Sequence, residues 1–570
     1  MPVRLRHDAL VGCALAVVLT VAWAWSDWAN LSVLRLPDTD DVVRLQQIRD
    51  WLGGQNWRDL TQHRLGLAPG LPMHWSRLAD LGPAAIIATL TPWAGAARAE
   101  LIAVLVWPGL LFAVALLLVA RIARRLGDPD TAVPAIVVAA IAYPATTVFL
   151  PGRIDHHNVQ IVLLLAATLG LLTRTPRVLA IAGVCVGASL IVGLEMLPIL
   201  AALGAILLCR WIGDGEGTPL AAFGGGAATS LMAGRLLFAS DAFAFPACDG
   251  FTASAFVAAL LLALALPAIA TAGLGARNGR RRILVAAMIA IPAAVLALLR
   301  SPQCLSPYGA VDPRLAALWL SHVEEAQSIL TAAPATSLGY CGVALAGLVA
   351  TGWQACRRRS ADWAMLAVLL AVALAIGMVQ LRGACAAAML AAPGLASLIA
   401  TTRARGGARL AAAWIASAGM LYPLAARALI QSPLPVPASG RGDCGSAAAI
   451  AALARLAPGT VMAPIDAGAW VLAATRHRVI AGPYHRNAAG NLLSYRFYAA
   501  RPEQAAPIAA AAGADYVMAC AGLPGAMDQH SVATALADGS GLPGFVRRLD
   551  ATDGTAIYAR QRLSEAASTP

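Results

Sequence analysis

The chain contains no lysine. All 42 of its basic side chains are arginine, set against 30 acidic ones, for a formal net charge of +12. Charged residues of either sign fill only 13% of the 570 positions, against about a quarter in an ordinary soluble domain. A sequence so poor in charge and 59% hydrophobic cannot clothe a globular surface in polar groups, which excludes a soluble enzyme and implies an integral membrane protein. The arginines that are present cluster beside apolar runs (RIARR, TRTPR, RNGRRR, CRRR, TTRARGGAR). They read as topology signals and not as a nucleic-acid surface. The ten cysteines form no CxxC pair and no zinc-type spacing, which removes metal capture by thiolates. No internal repeat is visible, and few acids lie inside apolar runs. Both absences weigh against the runner-up reading, a transporter or flippase of a lipid-linked or polyprenyl intermediate.

Apolar runs able to cross about 30 Å of hydrocarbon recur along the first three quarters of the chain, and in such sequences only helices cross. With the arginine clusters held on the cytoplasmic side, about thirteen crossings are predicted. They fall near 9–28, 100–122, 132–150, 158–173, 177–195, 197–212, 219–237, 252–275, 283–299, 337–353, 361–380, 384–400 and 409–431. The run at about 83–97 is short and contains Pro92. Reading it as a crossing would put RIARRLG outside, so it is taken as an interfacial or re-entrant helix. The first run fits a cleaved signal and a retained anchor alike, and either leaves the next segment outside.

The predicted organisation is therefore a polytopic α-helical membrane domain over 1–435, with an outer loop at about 29–98 and an outer lid loop at about 300–336. A linker, QSPLPVPASGRGD, leads into a C-terminal domain over 436–570, outside the membrane. There a helical stretch (SAAAIAALARLA) alternates with β-like runs (TVMAPI, HRVIAG, DYVMAC, TAIYAR), which predicts a small α/β fold. Cys248 and Cys304 fall in outer loops and Cys444 and Cys520 in the tail. Disulfides in an oxidising compartment and unpaired buried thiols are both open for them.

The chemistry-bearing motifs all lie on the predicted outer side. Asp38, Asp40 and Asp41 precede an amphipathic stretch, and Asp155, His156 and His157 sit at the mouth of an apolar run. Carboxylates with an imidazole make a hard donor set suited to Mg²⁺ or Mn²⁺. Aspartates that merely cap a helix, and loop histidines in solvent or in a proton relay, are the plainer accounts. In an extended segment Asp155 and His157 share a side while His156 points away, so Asp40, Asp155 and His157 are the predicted ligands. Glu324 and Glu325 occupy the lid loop, where a carboxylate contacts substrate or simply faces water. Arg382 opens a crossing on the outer side, suited to gripping phosphate oxygens or to snorkelling. His74 and Arg77 in MHWSRLAD, and Asp466, His485 and Arg486 in the tail, complete the substrate-binding candidates. For MHWSRLAD the plain account is an interfacial tryptophan with a headgroup-contacting arginine. Gly468 and Gly482 read as turn residues.

In this order the motifs resemble those of oligosaccharyltransferase catalytic subunits, membrane glycosyltransferases of the C-type fold, over nearly the whole chain. DTDDVVRL is similar to that family's first acidic motif, with Asp40 the best match and Asp38 and Asp41 alternatives. DHH at 155–157 resembles the archaeal form of its second, HVEEAQ its lid motif ending in glutamate (Glu325), and QLRGAC its diphosphate-binding arginine (Arg382). The resemblance implies a divalent metal held by the two acidic motifs, a polyprenyl-linked sugar donor, and an acceptor met by Glu325. It also implies thirteen transmembrane helices and an active site on the periplasmic face of a bacterial inner membrane. One motif departs. Where the family reads WWDYG this chain reads PIDAG, so Pro464 and Ile465 replace both tryptophans while Asp466 and Gly468 remain. The expected function is a metal-dependent glycosyltransferase whose acceptor is lipid, polysaccharide or protein.

Overall fold

The structure, a computed structural model, describes residues 2–127, 129–245, 247–300, 302–305, 311–429, 443–520, 523 and 530–561. The chain forms two compact units. Met1–Arg35, His74–Ala310 and Ser321–Ser432 make up the first; Leu36–Met73, Val311–Leu320 and Pro433–Pro570 make up the second. The boundary expected at 435/436 is thus not the whole division, because two segments of the predicted outer loops belong with the C-terminal domain.

The first unit is helical. Among the described residues eight helices are long and apolar enough to cross a membrane, from Leu5–Ser26 and Ala96–Leu126 to Gly383–Arg405. The other predicted crossings map to helices that are shorter or less apolar, among them His157–Thr173, Pro176–Val192 and Gly217–Leu237. Two are broken. The run at 132–150 stops being α-helical at Ala140 and resumes as a short turn at Ala145–Phe149, and that at 409–431 divides into Gly407–Ser417 and Leu421–Leu429. The short Pro92-containing run forms the helix Arg77–Ala94, which meets Ala96–Leu126 across Gly95.

Lipid supplies no hydrophobic drive for helices to associate, so close packing must do it, and small residues permit it. The Ala- and Gly-rich helix Gly383–Thr402 is buried along nearly its whole length. Helices Pro176–Val192 and Gly217–Leu237 approach so closely that a Cβ at Gly183 would lie 2.0 Å from the Phe223 carbonyl, and one at Gly226 2.1 Å from that of Ala180. The first helix, Pro2–Ser26, is packed into this unit: Asp8 is buried and accepts from the Arg124 guanidinium at 2.7 Å, and Trp23 lies 5.5 Å from Phe112.

Charge sorts to the helix ends. Arg174 and Arg210 both bind Asp362, at 2.5 and 3.1 Å, and Arg282 donates to the carbonyls of Ile212 and Gly213. Arginines of three predicted cytoplasmic segments therefore join at one end. The 17-residue helix His157–Thr173 carries the chain from that end to the DHH motif, about 25 Å at 1.5 Å per residue. Cys248 and Cys304, whose pairing the sequence leaves open, form a disulfide.

The second unit contains the predicted α/β domain. Its five-stranded sheet consists of β3 (Thr460–Met462), β4 (Arg478–Val479), β5 (Tyr516–Ala519), β6 (Phe545–Asp550) and β7 (Ala556–Arg560), in the order β4-β3-β5-β7-β6. The β4-β3-β5 half is parallel and the β5-β7-β6 half antiparallel. Strand β6, FVRRLD, escaped the sequence reading because its burial does not alternate cleanly. The first outer loop adds a two-residue hairpin, β1 (Thr61–Gln62) with β2 (Leu71–Pro72), and Leu65 bridges to Val479 of β4. Arg49 donates to the Ala473 carbonyl at 3.0 Å and Arg64 to that of Thr475 at 2.8 Å. These bonds explain why 36–73 folds with the tail. Cys444 and Cys520 are disulfide-bonded.

Gly468 is not a turn residue. It begins the helix Gly468–Ala474, and a Cβ there would stand 2.0 Å from the Ala481 carbonyl oxygen. Gly468→Ala must force the helix off the β4 segment, at about 1–3 kcal/mol for overpacking. The expected result is faster amide hydrogen exchange at Ile480–Gly482 and a lower unfolding midpoint of the α/β domain; unchanged exchange would show that this contact yields without cost.

Candidate active site

The residues that converge in the membrane unit lie where apolar helices begin. Pro151 to Asp155 form a turn, and His156, at φ −74° and ψ −13°, caps the helix His157–Thr173. Because this segment turns, the expectation that His156 points away from Asp155 fails. Both rings face the carboxylate. His156 Nδ1 lies 2.7 Å from Asp155 Oδ1, His157 Nε2 lies 3.4 Å from Asp155 Oδ2, and the two rings are 4.4 Å apart. Asp155 and His156 are each only 3% exposed. One ligand atom from each of the three residues falls within 4.8 Å of the others, a spacing that suits a metal ion.

A fourth group, missed in the sequence, completes the cluster. Glu195 lies in the loop between helices Pro176–Val192 and Leu197–Asp214, with Oε1 3.1 Å from His156 Nε2. Gln160, one turn into the DHH helix, donates to Glu195 Oε2 at 3.1 Å and to the Gly193 carbonyl at 3.1 Å. The signal was present: VGLEMLP places a lone acid between two apolar runs, the same anomaly that drew attention to DHH.

Burial opposes a charge on His156, but the carboxylates of Asp155 and Glu195 on either side raise its pKa well above the ordinary imidazole value. Burial likewise opposes ionisation of Glu195, and His156, His157 and Arg382 overcome it, holding this carboxyl well below the usual range. Arg382 is half-buried at the start of helix Gly383–Thr402. The segment around Gln327 is anchored beside it, since the Leu381 amide donates to the Gln327 carbonyl at 2.9 Å. Glu324 is exposed in the turn Glu324–Ala326; the Glu325 side chain lies outside the described residues.

MHWSRLAD is placed differently from the plain expectation. Trp75 and Arg77 are each 1% exposed, so neither sits at a headgroup interface. Arg77 lies 3.4 Å from buried Asp80, and His74 lies 3.9 Å from Asp249.

In the second unit the three aspartates separate by role. Asp38 caps the helix Thr39–Leu52 by accepting from the Asp40 amide at 3.0 Å, Asp41 is fully buried, and Asp40 is partly exposed in the first turn. Tyr484 donates its hydroxyl proton to the Thr39 carbonyl at 3.2 Å, which brings the turn carrying His485 and Arg486 to the start of this helix. Asp466 is exposed in the turn Ile465–Ala467 and bonds to the Trp319 side chain.

No protein-family model matches the chain, and no curated protein matches its sequence. Solved structures do match. An oligosaccharyltransferase of Archaeoglobus fulgidus, tethered to an acceptor peptide containing the NVT sequon, aligns over 97% of this chain and 74% of its own at TM-score 0.62 and 15% identity. The A. fulgidus enzyme AglB, in complex with an inhibitory peptide and a dolichol-phosphate, aligns over 89% and 69% at TM-score 0.60 and 16% identity. A further A. fulgidus structure, with Zn and sulfate, aligns over 88% and 67% at TM-score 0.55 and 16% identity. This chain is a polytopic helical membrane protein that shares the fold of those archaeal oligosaccharyltransferases.

Proposed function

We propose that this protein is a membrane glycosyltransferase that moves a sugar or oligosaccharide from a polyprenyl-linked phosphate or diphosphate to an acceptor at the outer face of a bacterial inner membrane. One observation carries the reading: Asp155 and His157 present adjacent donor atoms at the mouth of an apolar helix, beside the charged Glu195 and Arg382. Similar structures hold a dolichol-phosphate, an acceptor peptide, and Zn with sulfate, ligands that match such a site in kind. The Cys248–Cys304 and Cys444–Cys520 disulfides support an oxidising compartment.

The donor set fits a divalent cation. Both ring nitrogens of His156 lie against carboxylates, and the imidazole proposed as a ligand is that of His157, 3.4 Å from Asp155 Oδ2. A hard ion, Mg²⁺ or Mn²⁺, suits the mixed oxygen and nitrogen donors. When bound, it supplies charge stabilisation to a departing phosphate. Arg382 grips the same phosphate oxygens through paired N–H donors. Apolar helices hold the isoprenoid tail. Asp40 as a further ligand and Glu325 as the acceptor-facing carboxylate rest on motif order in the sequence. Glu324, Asp466, His485 and Arg486 are proposed as acceptor or donor contacts. His74 and Arg77 have no step assigned to them, since Arg77 is buried against Asp80.

A transporter of the lipid-linked intermediate is the competing account. It predicts movement of labelled lipid across liposomes with no acceptor present.

Purified protein given radiolabelled polyprenyl-linked sugars should pass label to an acceptor only with Mn²⁺ or Mg²⁺, and Asp155→Ala and Asp40→Ala should each lower the rate by at least about 100-fold without loss of membrane insertion. Full transfer in EDTA would end the metal reading. Arg382→Lys keeps charge but loses the planar fork, so the rate should fall about 10-fold or more, with a larger loss in Arg382→Ala. With both WWDYG tryptophans replaced, a sequon peptide should be a poor acceptor; mass spectrometry showing sugar on its asparagine would overturn that expectation.

A further inference from the structure

The loop between helices Pro176–Val192 and Leu197–Asp214 carries a carboxylate to which the proposed chemistry gives no role. Glu195 is 15% exposed, and its two oxygens are engaged at 3.1 Å by His156 Nε2 and Gln160 Nε2. Its neighbour makes room for it. A Cβ at Gly193 would stand 2.3 Å from Glu195 Oε2 and 3.2 Å from Gln160 Nε2. Gly193 has φ −177°, extended backbone open to any residue, so space for this carboxylate, and not conformation, is what a side chain there would violate.

The contacts form an unbroken line. Gln160 holds Glu195, Glu195 holds one nitrogen of His156, and the other nitrogen holds Asp155 Oδ1 at 2.7 Å. An imidazole bonded on both sides cannot rotate, and a carboxylate fixed through one oxygen directs the other. Asp155 Oδ2 is thereby aimed at His157, 3.4 Å away. In metal centres such outer partners orient the ligands and typically change affinity 10- to 100-fold when removed.

We propose that Glu195 is a positioning residue of the metal site: acting through His156, it fixes the Asp155 carboxylate so that Oδ2 and His157 Nε2 face one cation. The inference rests on the metal reading of the preceding section and assigns Glu195 no contact with metal or substrate. Its position in VGLEMLP, about forty residues from DHH, gives it no place in the DHH motif itself.

The test is Mn²⁺ binding by the purified full-length protein, followed by electron paramagnetic resonance, with transfer measured against Mn²⁺ concentration alongside. Glu195→Ala should weaken Mn²⁺ binding about 10- to 100-fold. At saturating Mn²⁺ its transfer rate should return close to that of the unaltered protein. Glu195→Gln, which keeps one acceptor for His156, should lie between the two. Gly193→Ala, which displaces the carboxylate without removing it, should weaken binding in the same direction. If Glu195→Ala lowers the unfolding midpoint, Glu195→Gln with a normal midpoint decides the matter. Unaltered protein that binds Mn²⁺, with Glu195 variants that bind it equally well, would overturn the positioning role and leave the metal site standing. Unaltered protein that binds no Mn²⁺ would remove the metal reading and this inference with it.

Discussion

The charge balance around His156 is the constraint on which this site depends. Two carboxylates, Asp155 and Glu195, are drawn into a largely buried pocket among helices, where a lone ionised carboxyl would protonate before it paid its desolvation cost. One imidazole between them lies within hydrogen-bond distance of both, and the two carboxylates raise its pKa and so favour the charged ring. Arg382 acts on Glu195 from the start of the next helix. Removing the ring would leave two carboxylates with only His157 and Arg382 as counter-charges, and removing either acid would leave the ring a single carboxylate partner. Such mutual dependence keeps ionised groups in place at the boundary of an apolar unit, where each alone would be too costly.

The same constraint bears on which imidazole is available for chemistry. DHH offers two rings of equal composition, and the backbone turn sends both toward Asp155. They differ only in what lies beyond them. His156 reaches Glu195 as well as Asp155, whereas His157 lies 3.4 Å from Asp155 Oδ2. Asp155 and His157 were chosen in the sequence because an extended strand would place them on one side. The turn removes that reason, and the proposal of the pair rests instead on His156 meeting carboxylates on both sides.

Much of the architecture was legible because its signals are local. Apolar length marked the helices, arginine clusters marked one set of their ends, and β-like runs marked four of the five strands of the C-terminal sheet. What escaped depends on partners remote in sequence. Glu195 stands out as a lone acid between apolar runs, but its partner is hidden until helix packing brings it to His156, 39 positions away. Gly468 looks like a turn residue until the Ala481 carbonyl is found against it. Trp75 and Arg77 have interfacial composition, yet both are buried, and no feature of MHWSRLAD reveals that Asp80 will meet the arginine inside the unit. The two broken crossings escaped for a related reason: a hydropathy run records how apolar a segment is and not whether its hydrogen bonds continue through it.

The division of the chain has the same origin. Segment 36–73 precedes the tail by some four hundred positions, yet Arg49 and Arg64 reach carbonyls at Ala473, Thr475 and His477, and Leu65 bridges to Val479. A hairpin of two residues per strand could not stand alone; it is stable because it extends a larger fold. The acidic stretch that begins at Asp38 is therefore fixed to the α/β domain by backbone and arginine contacts. The buried faces of the helix Thr39–Leu52 serve that attachment, and the capping Asp38 and the buried Asp41 are structural parts of it. Asp40 is the member of the motif whose side chain neither caps this helix nor is wholly buried in it. Asp38 and Asp41 thus have structural employment of their own, and the proposal of Asp40 as a ligand continues to rest on motif order.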